Sequence, residues 1–183
     1  MAWNYGFTYR GRHCSEFGLK LIGYRVNAPD IREYEDEVGG VDGVIDYGTE
    51  LGKREIEVRV DVISTDEPLA QRQSRIMAWL TPKQDAGALI FDEFPEWRYF
   101  AKYSGRLTLD QIGRYGEFTI TFKCTDPFAY GPERIQEMTI TSSPFTIHAP
   151  SDGAVPTPPV FELTNVGTTT LAYVRLTNEF RVD

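Results

Sequence analysis

The chain has 183 residues, with 27 acidic side chains against 19 basic ones and a net charge of −8. Hydrophobic residues make up 41% and aromatic residues 13%; this excludes a disordered chain and suits a domain of roughly 130 to 150 residues that buries about two thirds of its unfolded surface. The acidic balance and scattered Lys and Arg argue against a sequence-specific nucleic-acid reader, whose phosphate contacts need clustered positive charge, and two cysteines, Cys14 and Cys124, are too few for a disulfide framework.

The opening MAWNYGFTYRGR lacks the apolar core of a signal peptide, and no apolar run approaches the length of a membrane span. Synthesis in a reducing cytoplasm without membrane insertion is therefore expected. Strands are predicted near residues 3 to 9 and 17 to 26.

Residues 27 to 52 are polar and rich in glycine, with strand character in Val38, Val41, Val44 and Ile45. Gly39-Gly40 and Asp42-Gly43 mark tight turns, because glycine reaches positive φ without steric cost. The pattern predicts a long hairpin, or arm, that leaves the main body. Between Asp30 and Glu50 lie eight acids and one base, Arg32, so this window holds seven of the eight net negative charges. Either the acids face a functional surface or they keep an exposed arm soluble.

In REIEVRVDVI (54 to 63), Ile56, Val58, Val60 and Val62 alternate strictly with charged residues. That period of two predicts a half-buried antiparallel strand over 55 to 63. A helix is expected over 67 to 80, with Asp66 as N-cap, Pro68 in its first turn and Pro82 ending it. Leu69, Ile76, Met77 and Leu80 share one face, a stripe for packing on a sheet. Further strands are predicted at 88 to 92, 97 to 103, 105 to 110 and 116 to 124, with Gly105, Gly113 and Gly116 near the turns. Asp126-Pro127 stops the last ladder, since proline has no amide hydrogen.

After Gly131 the composition changes. Residues 132 to 159 read as a connector with short strands, stiffened by Pro156, Pro158 and Pro159. Val160, Phe161, Leu163, Leu171, Tyr173, Val174 and Leu176 then predict two more strands, within a segment (160 to 183) too short for a complete second domain.

Signals for chemistry are sparse. Residues 48 to 54, GTELGKR, look like a phosphate-binding loop with one spacer too few, and they precede a strand where such a loop must open a helix. His13, Cys14, Cys124 and His148 lack the spacing that wraps a tetrahedral zinc ion. Asp92, Glu93 and Glu96 could pose as a glycosidase pair; beside Pro95, solvated turn carboxylates are the simpler reading. Trp97, Tyr99 and Tyr103 fall on one face of the predicted strand, as a sugar-stacking platform or as ordinary core. No catalytic residue, metal site or cofactor is assigned.

The ordered set of motifs resembles the phage distal tail protein (Dit) family. YGFTYRGRHCSEFGLKL (5 to 21) resembles its aromatic-x-aromatic opening followed by Phe-Gly-Leu, and VGGVDGVIDYG (38 to 48) its glycine-aspartate-glycine turn. The helix ending in Trp79-Leu80, the Leu89-Ile90-Phe91-Asp92 strand and Asp126-Pro127-Phe128 complete the series. The resemblance covers residues 1 to 131 well and the rest loosely. It implies a mainly β fold: a β-sandwich over 1 to 131 with one packed helix and an extended hairpin arm. Residues 160 to 183 would then open a galectin-like second domain. It further implies a non-enzymatic structural protein of the virion tail tip, assembled in the host cytoplasm as a homohexameric ring. Its partners would be the tail tube protein, a tail-associated lysin or fibre hub, and a receptor-binding protein. Val38, Gly39, Gly40, Val41, Asp42, Gly43, Val44 and Ile45 become candidate subunit contacts, and Glu33, Glu35, Asp36 and Glu37 candidates for the channel or its rim. A carbohydrate-binding sandwich and a tail-tube subunit stand as alternatives.

Overall fold

The computed structural model describes residues 5–40, 42–63, 67–81, 83–105, 116–150 and 153–179. It divides into two compact units, Met1–Ile135 and Gln136–Asp183. The first is mainly β. Among the described residues nine strands form in chain order: β1 Phe7–Tyr9, β2 Arg12–His13, β3 Leu19–Val26, β4 Ile31–Glu37, β5 Val44–Leu51, β6 Arg54–Val62, β7 Gly87–Phe91, β8 Tyr99–Tyr103 and β9 Glu117–Cys124. A 3-10 helix, Cys14–Phe17, follows β2, and α1, Leu69–Trp79, follows β6.

Seven strands make one antiparallel sheet in the order β2-β1-β7-β8-β9-β6-β3. β8 changes partner along its length: Tyr99 to Ala101 pair with β7, whereas Lys102 and Tyr103 pair with β9. This lets the sheet fold over itself into a sandwich. The ring of Tyr9 on β1 reaches Phe122 on β9, with centroids 4.8 Å apart. Tyr24 on β3 stacks on Phe91 of β7 at 3.8 Å. Neither pair sits on neighbouring strands, so these contacts are made across the sandwich.

The alternation that predicts β6 and β9 is realised in register. Ile56, Val58 and Val60 face Phe122, Ile120 and Phe118 across the ladder, and all six are buried. The opposite face carries Glu55, Glu57 and Arg59, with Arg59 paired to Glu117 at 2.8 Å.

Helix α1 is shorter than the expected 67 to 80. Pro68 stands at its N-cap; Asp66 and Pro82, expected to start and stop it, lie outside the described residues. Its inward face also differs from the expected stripe. Ile76, Trp79 and Leu80 are buried together with Arg72, whereas Met77 is exposed. The spacing 72, 76, 79, 80 is one helical face. The Arg72 guanidinium enters it because it hydrogen-bonds the Ile63 carbonyl at 3.3 Å and faces Glu67 at 3.7 Å, which offsets the cost of burying a charge.

The 3-10 helix was not legible in the sequence. The His13 side chain accepts from Ser15 N–H while the Glu16 carboxylate accepts from His13 N–H, a reciprocal cap in which histidine takes the usual Ser or Thr place. Gly18 then turns left-handed, φ 68°, to begin β3.

In the second unit, no described residue lies in a strand or helix, and all are exposed. Among the described residues, the strands expected between 132 and 176 therefore do not form. Met138 and Ile140, or Phe145 and Ile147, have the alternation of strands, but alternation makes a strand only where a second strand supplies the ladder. Residues 106 to 110 of the strand expected at 105 to 110, and residues 3 and 4 of the first expected strand, lie outside the described residues.

Candidate assembly surface

β4 and β5 form a separate two-stranded ribbon. It continues the β3–β6 pair outward. At its neck, Asn27 N–H donates to the Glu55 carbonyl (3.1 Å), Asp30 N–H to Lys53 (2.8 Å) and Gly52 N–H to Asp30 (2.6 Å). The Lys53 ammonium lies between Glu55 (3.3 Å) and Asp30 (3.8 Å). Gly52 sits in a tight place: a Cβ there would lie 3.2 to 3.3 Å from the Asp30 side chain and carbonyl and from the Arg32 side chain, so these would have to shift by a few tenths of an ångström. The hairpin expected from glycine spacing is thus a ribbon fixed at its root.

Every described residue of the ribbon is exposed, including Ile31, Tyr34, Val38, Val44, Ile45, Tyr47 and Leu51. An isolated two-stranded ribbon is marginal in water, and so much exposed apolar surface in one element marks an interaction site. Its own pairing is not optimal either. Glu35 faces Asp46 directly across the ladder, where like charges repel. The register slips between Glu33 and Glu35, which turns Tyr34 so that its hydroxyl donates to Glu50 at 3.1 Å.

At the tip, Val38, Asp42, Gly43, Val44 and Ile45 surround a shallow cleft of about 300 Å³. Gly40 and Gly43 adopt φ of 87° and 99°, conformations that glycine tolerates best. Gly39 lies in the same turn, and Val41 lies outside the described residues. The tip candidates are therefore brought together. Glu33, Glu35, Asp36 and Glu37 all fall on β4, exposed, and among the described residues none of them forms an ion pair.

The remaining sequence candidates are dispersed or differently employed. Asp92 accepts from Gly6 N–H at 2.8 Å and faces His13 Nε2 at 3.1 Å, so it ties the start of β1 and the 3-10 helix to the end of β7. Glu93 accepts from the Tyr24 hydroxyl at 2.9 Å. Burial, followed by that bond, pushes the Tyr24 phenol up to about 12. Cys14 and Cys124 are buried, and burial pushes the Cys124 thiol up to about 11. Residues 48 to 54 run from one strand into the next.

The expected aromatic face of Trp97, Tyr99 and Tyr103 is corrected. Tyr99 and Tyr103 point into the core, but Trp97 precedes β8 and is 52% exposed. Two successive turns reverse the chain here: Phe94 N–H donates to the Phe91 carbonyl and Trp97 N–H to Phe94, each at 3.0 Å. The strand period therefore stops short of Trp97. Its ring stacks instead on exposed Phe94, with centroids 5.4 Å apart. The signal for this turn was present in Phe94-Pro95-Glu96-Trp97, since proline favours the second turn position.

The model of one protein family, described as "Phage tail protein RIFT-related domain", matches residues 12–124. The distal tail protein of Bacillus phage SPP1 is 29% identical over 108 residues, 58% of this chain and 43% of that protein. The crystal structure of SPP1 Dit, described as a paradigm of the hub adsorption apparatus in phages infecting Gram-positive hosts, matches with a TM-score of 0.57 at 24% identity. That match covers 70% of this chain and 52% of the SPP1 chain. The chain therefore spans about half the length of these relatives, and the structural likeness is one of fold.

Proposed function

Because the chain belongs to the phage tail protein RIFT-related domain family and has a structural role in the phage tail, we propose that it is the distal tail protein of a long-tailed phage. In this reading it closes into a homohexameric ring at the tail tip. The ring joins the tail tube protein on one face to a tail-associated lysin or fibre hub on the other, with a receptor-binding protein attached to that assembly. It works by geometry and catalyses no reaction. The observation that carries the proposal is the alignment of more than half the chain with the SPP1 distal tail protein.

The arm supports it physically. A head-to-tail contact closes into a ring when its rotation is right. A rooted ribbon that exposes its apolar side chains needs a neighbour to bury them. The tip residues Val38, Gly39, Gly40, Val41, Asp42, Gly43, Val44 and Ile45 are the contact on the next subunit. Glu33, Glu35, Asp36 and Glu37 face the channel or its rim. There, carboxylates repel a passing phosphate backbone over roughly 8 Å at physiological salt, where a basic lining would hold it. Residues 132 to 159 act as a connector to residues 160 to 183, whose alternating side chains pair as strands only where a second strand supplies the ladder.

Electron micrographs of the purified chain, with its mass in solution, test the reading. Six-fold rings are expected, and a strict monomer at every concentration overturns them. In a ring reconstruction, finding all four carboxylates on the outer circumference removes their channel role and leaves the rest intact.

A further inference from the structure

Beside the root of the arm, Tyr24 and Val26 of β3 meet Phe91, Phe94, Trp97 and Tyr99 around a shallow cavity of about 200 Å³. Its outer wall is the Phe94–Trp97 turn, where both rings stand in solvent at 47% and 52% exposure. Two backbone hydrogen bonds and Pro95 hold that turn, and the two rings stack with centroids 5.4 Å apart. One carboxylate, exposed Glu93, is tied to the lining, whereas Asp92 is engaged with Gly6 N–H and His13. Tyr24 lines the cavity and its hydroxyl donates to one oxygen of Glu93, which leaves that carboxylate further acceptor sites at the rim.

We propose that this shelf binds one ring of a neutral saccharide. Three features of the site select that ligand. The exposed aromatic faces carry partial negative charge and attract the C–H face of a pyranose. The Glu93 carboxylate beside Tyr24 accepts from sugar hydroxyls in charge-assisted hydrogen bonds. The same negative charge repels phosphate, so phosphate-bearing polyanions are rejected. Size points the same way. A cavity of about 200 Å³ lies below the roughly 300–1,000 Å³ of sites that enclose a whole ligand, so it takes one unit of a longer glycan. The proposal stands apart from ring formation, and neither depends on the other.

The test uses the full chain. It is titrated calorimetrically with neutral oligosaccharides of glucose, galactose and N-acetylglucosamine, and with a glycerol-phosphate polymer. At least one neutral oligosaccharide is expected to bind saturably, and the polyanion is not. Trp97→Ala weakens that binding about tenfold or more, and Glu93→Gln weakens it less. Because both side chains are exposed, the melting temperature stays close to that of the unaltered chain. Absence of binding by every neutral saccharide at millimolar concentration overturns the proposal, as does binding that survives Trp97→Ala. Loss of self-association in Trp97→Ala without any saccharide binding also overturns it and assigns the shelf to a subunit contact.

Discussion

The indole of Trp79 lies flat on the ring of Phe17, with centroids 4.1 Å apart and planes 10° apart. Trp79 also donates its Nε1–H to the Tyr9 carbonyl at 2.9 Å and stacks on Phe7 at 5.8 Å. One side chain thus joins the helix to β1 and to the 3-10 helix. On the far side, the Arg12 guanidinium lies 4.4 Å from the centre of the Phe17 ring. Trp79→Ala should cost about 3–5 kcal/mol, through the cavity it leaves and the carbonyl it strands. Trp79→Phe keeps most of the packing and loses about 1 kcal/mol through the hydrogen bond. Urea unfolding measures both; equal losses would deny the hydrogen bond a role.

Val60 is fully buried and faces Phe118 across the β6–β9 ladder. Val60→Asp places an unpaired carboxylate there at a cost of several kcal/mol. Total stabilities are commonly about 5–15 kcal/mol, so the variant is expected to remain unfolded or insoluble at neutral pH. Circular dichroism showing the full strand signal would contradict this. Ile120→Asp, on the facing strand, should behave alike.

Deletion of residues 36 to 46 removes the ribbon tip. Among the described residues of that segment none belongs to the buried core, so the sandwich should melt within a few degrees of the intact chain. Light scattering should report a folded monomer. Full rings from the deleted protein would show that the arm is not the subunit contact.

Tyr24 gives an alkaline signature. Its phenol is raised from 10.0 to about 12 in the fold, by burial first and then by the bond to Glu93. A group with a raised folded value contributes stability that is complete below its unfolded value and disappears as pH climbs through the folded one. Stability should therefore fall between about pH 10 and about pH 12, and Tyr24→Phe should flatten part of that fall. Urea midpoints across the alkaline range check it. An unchanged slope in Tyr24→Phe would assign the loss to other groups, such as the Cys124 thiol.

The local periods of this sequence settled its main elements. Strict alternation at 55 to 63 and 116 to 124 became β6 and β9 because a period of two leaves one way to hide the apolar face. The glycines at 39, 40 and 43 placed the arm's turn, since few other residues accept that backbone. The order of motifs settled the family. Tertiary structure decided what those periods leave open. Arg72 joined the buried stripe because the Ile63 carbonyl and Glu67 were there to receive it, and helical spacing cannot foresee a partner on another segment. Trp97 left the strand face because two turn hydrogen bonds stopped the strand before it. The alternating residues after Gly131 formed no strand, because a strand is half of a hydrogen-bonded pair and periodicity writes only its own half. Tyr24 and Phe91 met across the sandwich because β8 changes partner midway, a choice made by the whole sheet and by no single stretch of chain.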